Sequence, residues 1–249
     1  MRASGTIIVT GASRGIGAST ALGLARRGFV VACLSRSGTI PPGEEPGDEA
    51  LGARMIALRC DVTDEAGIKD AFKSLAERGN GIIGLVNNAG VHWEGRARSL
   101  PTSDLEAILR TNTVAPFVAA REIYPYLVAA GGGLIVNIGS FFGRLAAKGS
   151  IAYCASKAAL EAMTRVLAAE WGRKGIAVLN IAPGYIETDV NRKYLADPAS
   201  RAMVSARNFV GRPGRTDEVA RLVCALYSEN IPFLTGETIY IDGGHSVAL

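Results

Sequence analysis

The sequence contains no block of like charge, no paired cysteines and no apolar run near the length of a membrane span. Each absence removes a class of function. Its 27 Lys and Arg stand against 23 Asp and Glu, a net charge of +4, and the basic residues are scattered. That gives little support for nucleic-acid binding. The four cysteines, at 33, 60, 154 and 224, form no Cys-x-x-Cys pair and fit neither a zinc pattern nor a disulfide frame. Three lie among apolar neighbours, where Cys behaves as a small hydrophobe, and a reducing cytoplasmic setting is expected. There are only two histidines, His92 and His245, with no acidic pattern beside them, so no metal site is expected. A strand pattern begins at once after Met1–Gly5, which leaves no room for a signal peptide. No span longer than about 18 apolar residues occurs, so no membrane partner is expected.

What is present reads as one folded unit. The 249 residues are 48% hydrophobic and 20% charged, which excludes intrinsic disorder. Glycine is abundant, 30 residues without a Gly-X-Y period, and belongs to turns and close backbone approaches. Short apolar runs at 6–10, 30–34, 54–59, 82–87, 134–138, 177–182 and 237–241 lack strict alternation, as in strands covered on both faces. Between them lie helical patterns at 16–27, 64–78, 104–129, 152–174 and 216–227. This alternation predicts an α/β, single-domain, doubly wound (Rossmann) fold over 1–249: a parallel seven-stranded sheet with helices on both faces. Two segments break the rhythm. Residues 37–50 hold three Pro, three Gly and four acids and read as an irregular loop, with room for a short helix after Pro46. Residues 188–215 are long and polar, without a clear strand, and read as a substrate lid or mobile loop.

The first strand pattern runs into Thr10-Gly11-Ala12-Ser13-Arg14-Gly15-Ile16-Gly17, followed by a helix. Glycines there allow a tight turn, close ligand approach and helix–strand packing. The helix N-terminus offers unpaired N–H groups to a pyrophosphate. An acid at the end of the second strand would accept the ribose 2′-OH of NAD. Here the chain has Leu34-Ser35-Arg36 instead. Arg36 and Arg14, with the Ser35 hydroxyl, favour the 2′-phosphate of NADP(H), unless both arginines are simply solvated.

Tyr153 and Lys157 lie four apart in a helical pattern and so share a face. A phenol with a pKa near 10 is a poor acid–base catalyst at neutral pH. A nearby ammonium and a cationic nicotinamide would lower that pKa. Ser140, at the end of the fifth strand, falls where ligand crevices form in parallel sheets.

With these residues in view the chain resembles the short-chain dehydrogenases/reductases of the ~250-residue single-domain branch, over nearly its whole length. The resemblance rests on the Gly-rich turn (Gly11, Ser13, Arg14, Gly15, Ile16, Gly17), on Asp61 and Val62, and on Asn87-Asn88-Ala89-Gly90. It rests equally on Asn112, Ser140, Tyr153 and Lys157, on Pro183-Gly184-Tyr185-Ile186-Glu187-Thr188, and on Phe233–Gly236 with Asp242-Gly243-Gly244. It implies Tyr153 as general acid/base, Ser140 on the substrate oxygen, and Lys157 on the nicotinamide ribose. It further implies Asn112 holding a water, Asp61 on the adenine, and Pro183, Gly184, Ile186 and Thr188 around the nicotinamide. Other readings stay open at three positions: Asp61 and Thr188 as local caps, and Asn87 as a tie between strands.

Trp93, Phe141, Phe142 and Tyr185, with Tyr194 or Phe209 from the lid, are expected to wall an apolar substrate pocket, though some are equally suited to the core. The subfamily nearest in pattern is the 3-oxoacyl-[acyl-carrier-protein] reductases, for which an acyl thioester is the substrate. Arg173 and Lys174 keep half of that subfamily's basic docking pattern, while the turn 129–133 lacks a cation. The expected partner is therefore a small carbonyl or alcohol, with the thioester as alternative. A catalytically silent NADP(H) sensor or scaffold is the distant alternative. The resemblance also implies a homotetramer, and the Ala-rich 104–129 and 152–174 segments suit close helix packing.

Overall fold

In a computed structural model, which describes residues 5–43, 48–189 and 191–248, seven parallel strands form one sheet. They are β1 (Thr6–Thr10), β2 (Val30–Ser35), β3 (Met55–Arg59), β4 (Ile82–Asn87), β5 (Gly133–Ile138), β6 (Ile176–Pro183) and, after two short strands, β9 (Thr238–Ile241). The order β3-β2-β1-β4-β5-β6-β9 reverses direction between β1 and β4, so a crevice opens there beyond the strand ends. Side-chain alternation divides the core. Ile7, Val9, Val31 and Cys33 face helices α1 (Gly15–Arg26) and α8 (Thr216–Glu229). Ile8, Ala32 and Leu34 face α2 (Glu65–Ala76), α4 (Ala115–Ala129) and α5 (Ile151–Trp171). Burial on both faces explains the unbroken apolar runs of the sequence.

Gly84 in β4 makes room for an α8 side chain. A Cβ there would sit 2.3 Å from Tyr227 Cε1. The buried Tyr227 hydroxyl lies 3.1 Å from the Leu85 carbonyl and 3.0 Å from that of Leu134. At the other end of the same strands Asn87 and Asn137 stand in register. Asn87 Nδ2 donates to Asn137 Oδ1 at 2.9 Å, and Asn137 Nδ2 donates to Thr164 Oγ1 of α5 at 2.9 Å. The reading of Asn87 as a tie between strands is therefore the one the geometry favours.

Two expectations need revision. The segment 104–129 is not one regular helix: α3 (Thr102–Leu109) passes through a π-turn, Arg110–Val114, before α4. The wider turn buries Asn112 towards α5 instead of letting it follow the α-helical face. The segment 188–215 contains two helices, α6 (Arg192–Ala196) and α7 (Pro198–Ala206). Asp197 starts the second by accepting the Ser200 N–H at 2.9 Å. This segment is framed by the short parallel pair β7 (Ile186–Glu187) and β8 (Gly214–Arg215). In the loop after β2, a 3-10 helix spans Asp48–Arg54, while Pro46 lies outside the described residues.

Candidate active site

Gly11 and Gly15 adopt positive φ, +65° and +58°, so the turn after β1 needs residues without a Cβ. Contacts demand the same: a Cβ on Gly11 would lie 2.9 Å from Ala89 Cα, and one on Gly17 would lie 2.3 Å from the Gly11 oxygen. Asn88 Nδ2 donates to the Thr10 and Gly11 carbonyls at 2.9 and 3.1 Å. Asn88 therefore shapes the loop from β4. Helix α1 begins at Gly15 with no side-chain cap and no acid in its first turn. Its N–H groups and positive dipole end are left for an anion. A cavity of about 660 Å³ opens there, between Ser13, Arg14 and Gly15 on one side and Thr188, Asp189 and Arg192 on the other.

Arg14 and Arg36 are exposed, and among the described residues neither makes an ion pair. The Asp61 carboxyl is held below its ordinary pKa first by the Thr63 N–H and hydroxyl, then by the nearby charges of Arg36 and Arg110. Arg36 and Asp61 thus share one edge of the crevice. Asp61 accepts from Thr63 N and Oγ1 at 2.9 and 2.7 Å, whereas the residue preceding α2 is Asp64. The helix-cap reading of Asp61 is not what the turn adopts. Ser35 differs from expectation too. It is buried, and its Oγ accepts the Gly38 N–H at 3.1 Å and pairs with Ser37 Oγ at 3.0 Å. Its hydroxyl is committed to the turn, where the exposed Ser37 also pairs with Thr39 Oγ1 at 2.9 Å.

At the other end of the crevice Pro183 closes β6, and Gly184 is pressed against Asp242, with a Cβ there only 2.8 Å from Asp242 Cα. Ile186 is buried in β7. The Thr188 side chain faces Gly15, 3.8 Å from the place of a Cβ there, and its hydroxyl pairs with Asn191 Oδ1 at 3.2 Å. Thr188 therefore brackets the glycine turn and does not cap a helix. The glycine cradle, an uncapped helix end and two unpaired arginines fit a pyrophosphate dinucleotide carrying an extra phosphate.

The four residues expected to do chemistry meet beside this crevice. Tyr153, on the first turn of α5, faces the Ser140 hydroxyl, which acts to lower its pKa. Ser140 Oγ also accepts the Phe142 N–H at 3.2 Å. Lys157 is buried one turn along α5. Its Nζ donates to the Ile138 carbonyl at 2.8 Å and lies 5.6 Å from the Tyr153 ring centroid. Asn112 spends its side chain on protein: Oδ1 accepts the Val91 N–H at 2.9 Å, and Nδ2 donates to the Val91 carbonyl at 2.9 Å and to Ser156 Oγ at 3.1 Å. Ser156 in turn donates to the Tyr153 carbonyl at 2.7 Å.

The electrostatics correct one expectation. The protein's own groups do not lower the Tyr153 pKa: burial raises it, and the Ser140 hydrogen bond only partly offsets this. Burial also pulls the Lys157 ammonium down to about 8. Both groups are held in an environment that disfavours their charged forms.

The sequence matches the family model described as enoyl-(acyl carrier protein) reductase over residues 11–246. It is 33% identical over 243 residues to gluconate 5-dehydrogenase of Gluconobacter oxydans, covering 97% of this chain and 94% of that one. It is 34% identical over 237 residues to the 3-oxoacyl-[acyl-carrier-protein] reductase of Escherichia coli, covering 95% of each. Among solved structures, a gluconate 5-dehydrogenase from Burkholderia cenocepacia in complex with NADP and tartrate superposes with a TM-score of 0.88 at 30% identity, covering 98% of this chain and 96% of that one. The chain belongs to the short-chain dehydrogenase/reductase family. As a short-chain dehydrogenase/reductase it is an oxidoreductase of the CH–OH/C=O class.

Around the Tyr153 end this short-chain dehydrogenase/reductase gathers aromatic rings. Phe142 lies edge-on to Tyr153 with centroids 6.5 Å apart, and Tyr185 meets Phe142 at 5.9 Å and stacks on Tyr194 at 6.1 Å. Phe141 does not line open space. It is 1% exposed and supports Phe142 and Tyr185 from behind, at 4.2 and 5.4 Å. Trp93 and Phe209 are exposed, and among the described residues neither joins the ring cluster. Two members were not foreseen. His245 contacts Phe141 at 5.0 Å and Tyr185 at 5.8 Å, and His92 contacts Tyr153 at 4.4 Å. For His92 a signal existed: it follows a strand end at the switch point, where side chains face the crevice.

Proposed function

We propose that this enzyme uses NADP(H) to interconvert a carbonyl compound and a secondary alcohol, with Tyr153 as general acid/base. The observation that carries the reading is the meeting of Asn112, Ser140, Tyr153 and Lys157 beside a phosphate cradle. The cofactor supplies or accepts the hydride at its nicotinamide ring. The cradle of Gly11, Ser13, Arg14, Gly15, Ile16 and Gly17 holds the pyrophosphate. Arg14 and Arg36 hold the 2′-phosphate, and Asp61 and Val62 flank the adenine. Asn88, Ala89 and Gly90, with Pro183, Gly184, Ile186 and Thr188, border the ribose and nicotinamide end.

In the reducing direction Tyr153 donates its phenolic proton to the carbonyl oxygen. Ser140 hydrogen-bonds that oxygen as negative charge develops. Lys157, fixed by the Ile138 carbonyl, reaches the ribose hydroxyls and makes the phenolate less costly once the proton has left. Asn112 is a positioning group that clamps Val91 and Ser156 around the site, and its backbone is where a water would complete proton return. Since burial raises the Tyr153 pKa, the cationic charge that stabilises its phenolate must come largely from the bound oxidised cofactor. Tyr153→Phe tests the assignment: turnover is expected to fall by several orders of magnitude with NADPH affinity retained, and wild-type-like turnover overturns it.

The aromatic wall of Phe142, Tyr185 and Tyr194 supports a small carbonyl substrate. The 3-oxoacyl thioester alternative is favoured by one observation, the exposed Arg173 and Lys174 after α5, which offer charge to an acidic carrier. Turnover of an acetoacetyl thioester against a ketone panel separates the two. A tetramer accounts for exposed apolar side chains on α4 and α5 (Phe117, Val128, Ile151, Val166) and for Phe233, which is fully exposed. Light scattering coupled to size exclusion tests it. The unpaired thiols Cys33, Cys60, Cys154 and Cys224 suit the reducing cytoplasm.

A further inference from the structure

His92 sits in a loop anchored by side-chain hydrogen bonds. The residue before it, Val91, has both its N–H and its carbonyl bonded to the Asn112 side chain at 2.9 Å. The imidazole is half-buried and packs on the Tyr153 ring, centroids 4.4 Å apart and planes inclined at 44°. Nε2 lies 3.1 Å from the hydroxyl of Ser150, a residue only 3% exposed. Burial lowers the imidazole pKa, against a smaller opposing pull from Glu94, which favours the neutral ring. Its Nδ1 has no hydrogen-bond partner among the described residues.

We infer that His92 is a specificity-determining residue that selects carbonyl substrates carrying a hydroxyl on the carbon next to the reacting one. The inference rests on Tyr153 being the group that meets the carbonyl oxygen. His92 flanks the Tyr153 ring, with centroids 4.4 Å apart, so a substituent on the carbon next to a carbonyl held by that phenol comes within its reach. The chemistry of the imidazole then chooses the substituent. If Ser150 donates to Nε2, Nδ1 carries the proton and donates. If Nε2 donates to Ser150, Nδ1 accepts. A hydroxyl, both donor and acceptor, satisfies either tautomer. A carboxylate satisfies only the first. A methylene, as in a plain ketone or an acyl chain, satisfies neither and leaves a ring nitrogen unpaired in a partly dry pocket.

The test compares matched pairs, hydroxyacetone with acetone and acetoin with butanone, using NADPH and purified full-length enzyme. The quantity read is the ratio of kcat/KM for the hydroxylated ketone to that for its plain partner, so intrinsic differences in carbonyl reactivity cancel between variants. In His92→Phe, which keeps a ring against Tyr153, the ratio is expected to fall roughly ten- to a hundredfold, chiefly through KM of the hydroxylated ketone. His92→Gln, which restores a polar group that both donates and accepts, is expected to recover part of it. An unchanged ratio in His92→Phe overturns the inference. So does a parallel loss on both members of each pair, because His92 would then only support Tyr153. Failure of the underlying oxidoreductase reading looks different: the wild-type enzyme would oxidise NADPH with none of the four ketones, and the inference would fall with it.

Discussion

Lys157 should make the enzyme less stable at neutral pH than in alkali, and the effect can be isolated by substitution. The ammonium is buried, with the Ile138 carbonyl as its hydrogen-bond acceptor, and its pKa falls from 10.5 to about 8. Between these two values the unfolded chain binds a proton at Lys157 that the folded enzyme does not. Stability therefore rises with pH across that window. At about 1.4 kcal/mol per pH unit of difference, Lys157 contributes a gain of roughly 2–3 kcal/mol in unfolding free energy between pH 7 and pH 10. Other groups titrate over the same range, so the useful quantity is the difference between wild type and Lys157→Met, in which most of them cancel. Chemical denaturation at both pH values supplies it. Wild type should gain on the variant as pH rises, and turnover should be lost in the variant at either pH. A difference that stays flat, or that moves in the variant's favour, would refute the claim that desolvation dominates at Lys157.

Arg36→Ala removes a charge-assisted fork for the 2′-phosphate and should weaken NADPH binding by about 1.5–3 kcal/mol, roughly ten- to a hundredfold, with NADH binding little changed in calorimetry. Equal losses for both cofactors would move the phosphate elsewhere. Gly84→Ala places a Cβ 2.3 Å from Tyr227 Cε1 and should cost about 1–3 kcal/mol of unfolding free energy, while a Tyr227→Phe, Gly84→Ala double variant keeps most of that loss because the clash is with the ring. Gly17→Ala should abolish cofactor binding more completely than it destabilises the fold, because its Cβ would meet the Gly11 oxygen at 2.3 Å inside the cradle. Retained NADPH affinity in that variant would contradict the cradle.

Much of the architecture could be read from the sequence because parallel strands buried on both faces leave continuous apolar runs. Ser140, Tyr153 and Lys157 stood out only through the family resemblance, because Tyr-x-x-x-Lys by itself is a common spacing on helices. The π-turn at Arg110–Val114 was not legible. One extra residue in a helical turn shifts the apolar period too little to register in a single chain. Helices α6 and α7 were hidden by polarity, although Asp197-Pro198 followed by Ser200 carried a cap signal. The balance that the protein alone sets at Tyr153 was hidden for a different reason. Sequence reveals that a lysine lies nearby but not how much water both groups lose, and here desolvation is the larger effect.

These buried polar groups share an architectural logic. One hydrogen-bonded line runs from β4 through β5 into α5: Asn87 to Asn137 to Thr164, whose hydroxyl donates to the Leu160 carbonyl at 2.9 Å. A second runs from Val91 through Asn112 to Ser156 and the Tyr153 carbonyl. They grip α5 on either side of Lys157, at residues 156 and 164. Apolar packing alone would tolerate small rotations of an Ala-rich helix, because small side chains interlock weakly. Turning α5 by a single residue, about 100°, would carry Tyr153 away from Ser140 and leave several buried donors unpaired at once. The sheet ends thus specify the rotation of the catalytic helix by hydrogen bonding, and the same Asn112 clamp holds Val91 and, with it, the backbone carrying His92. Phenol and imidazole are fixed relative to one another by side chains whose polar atoms are paired within the protein.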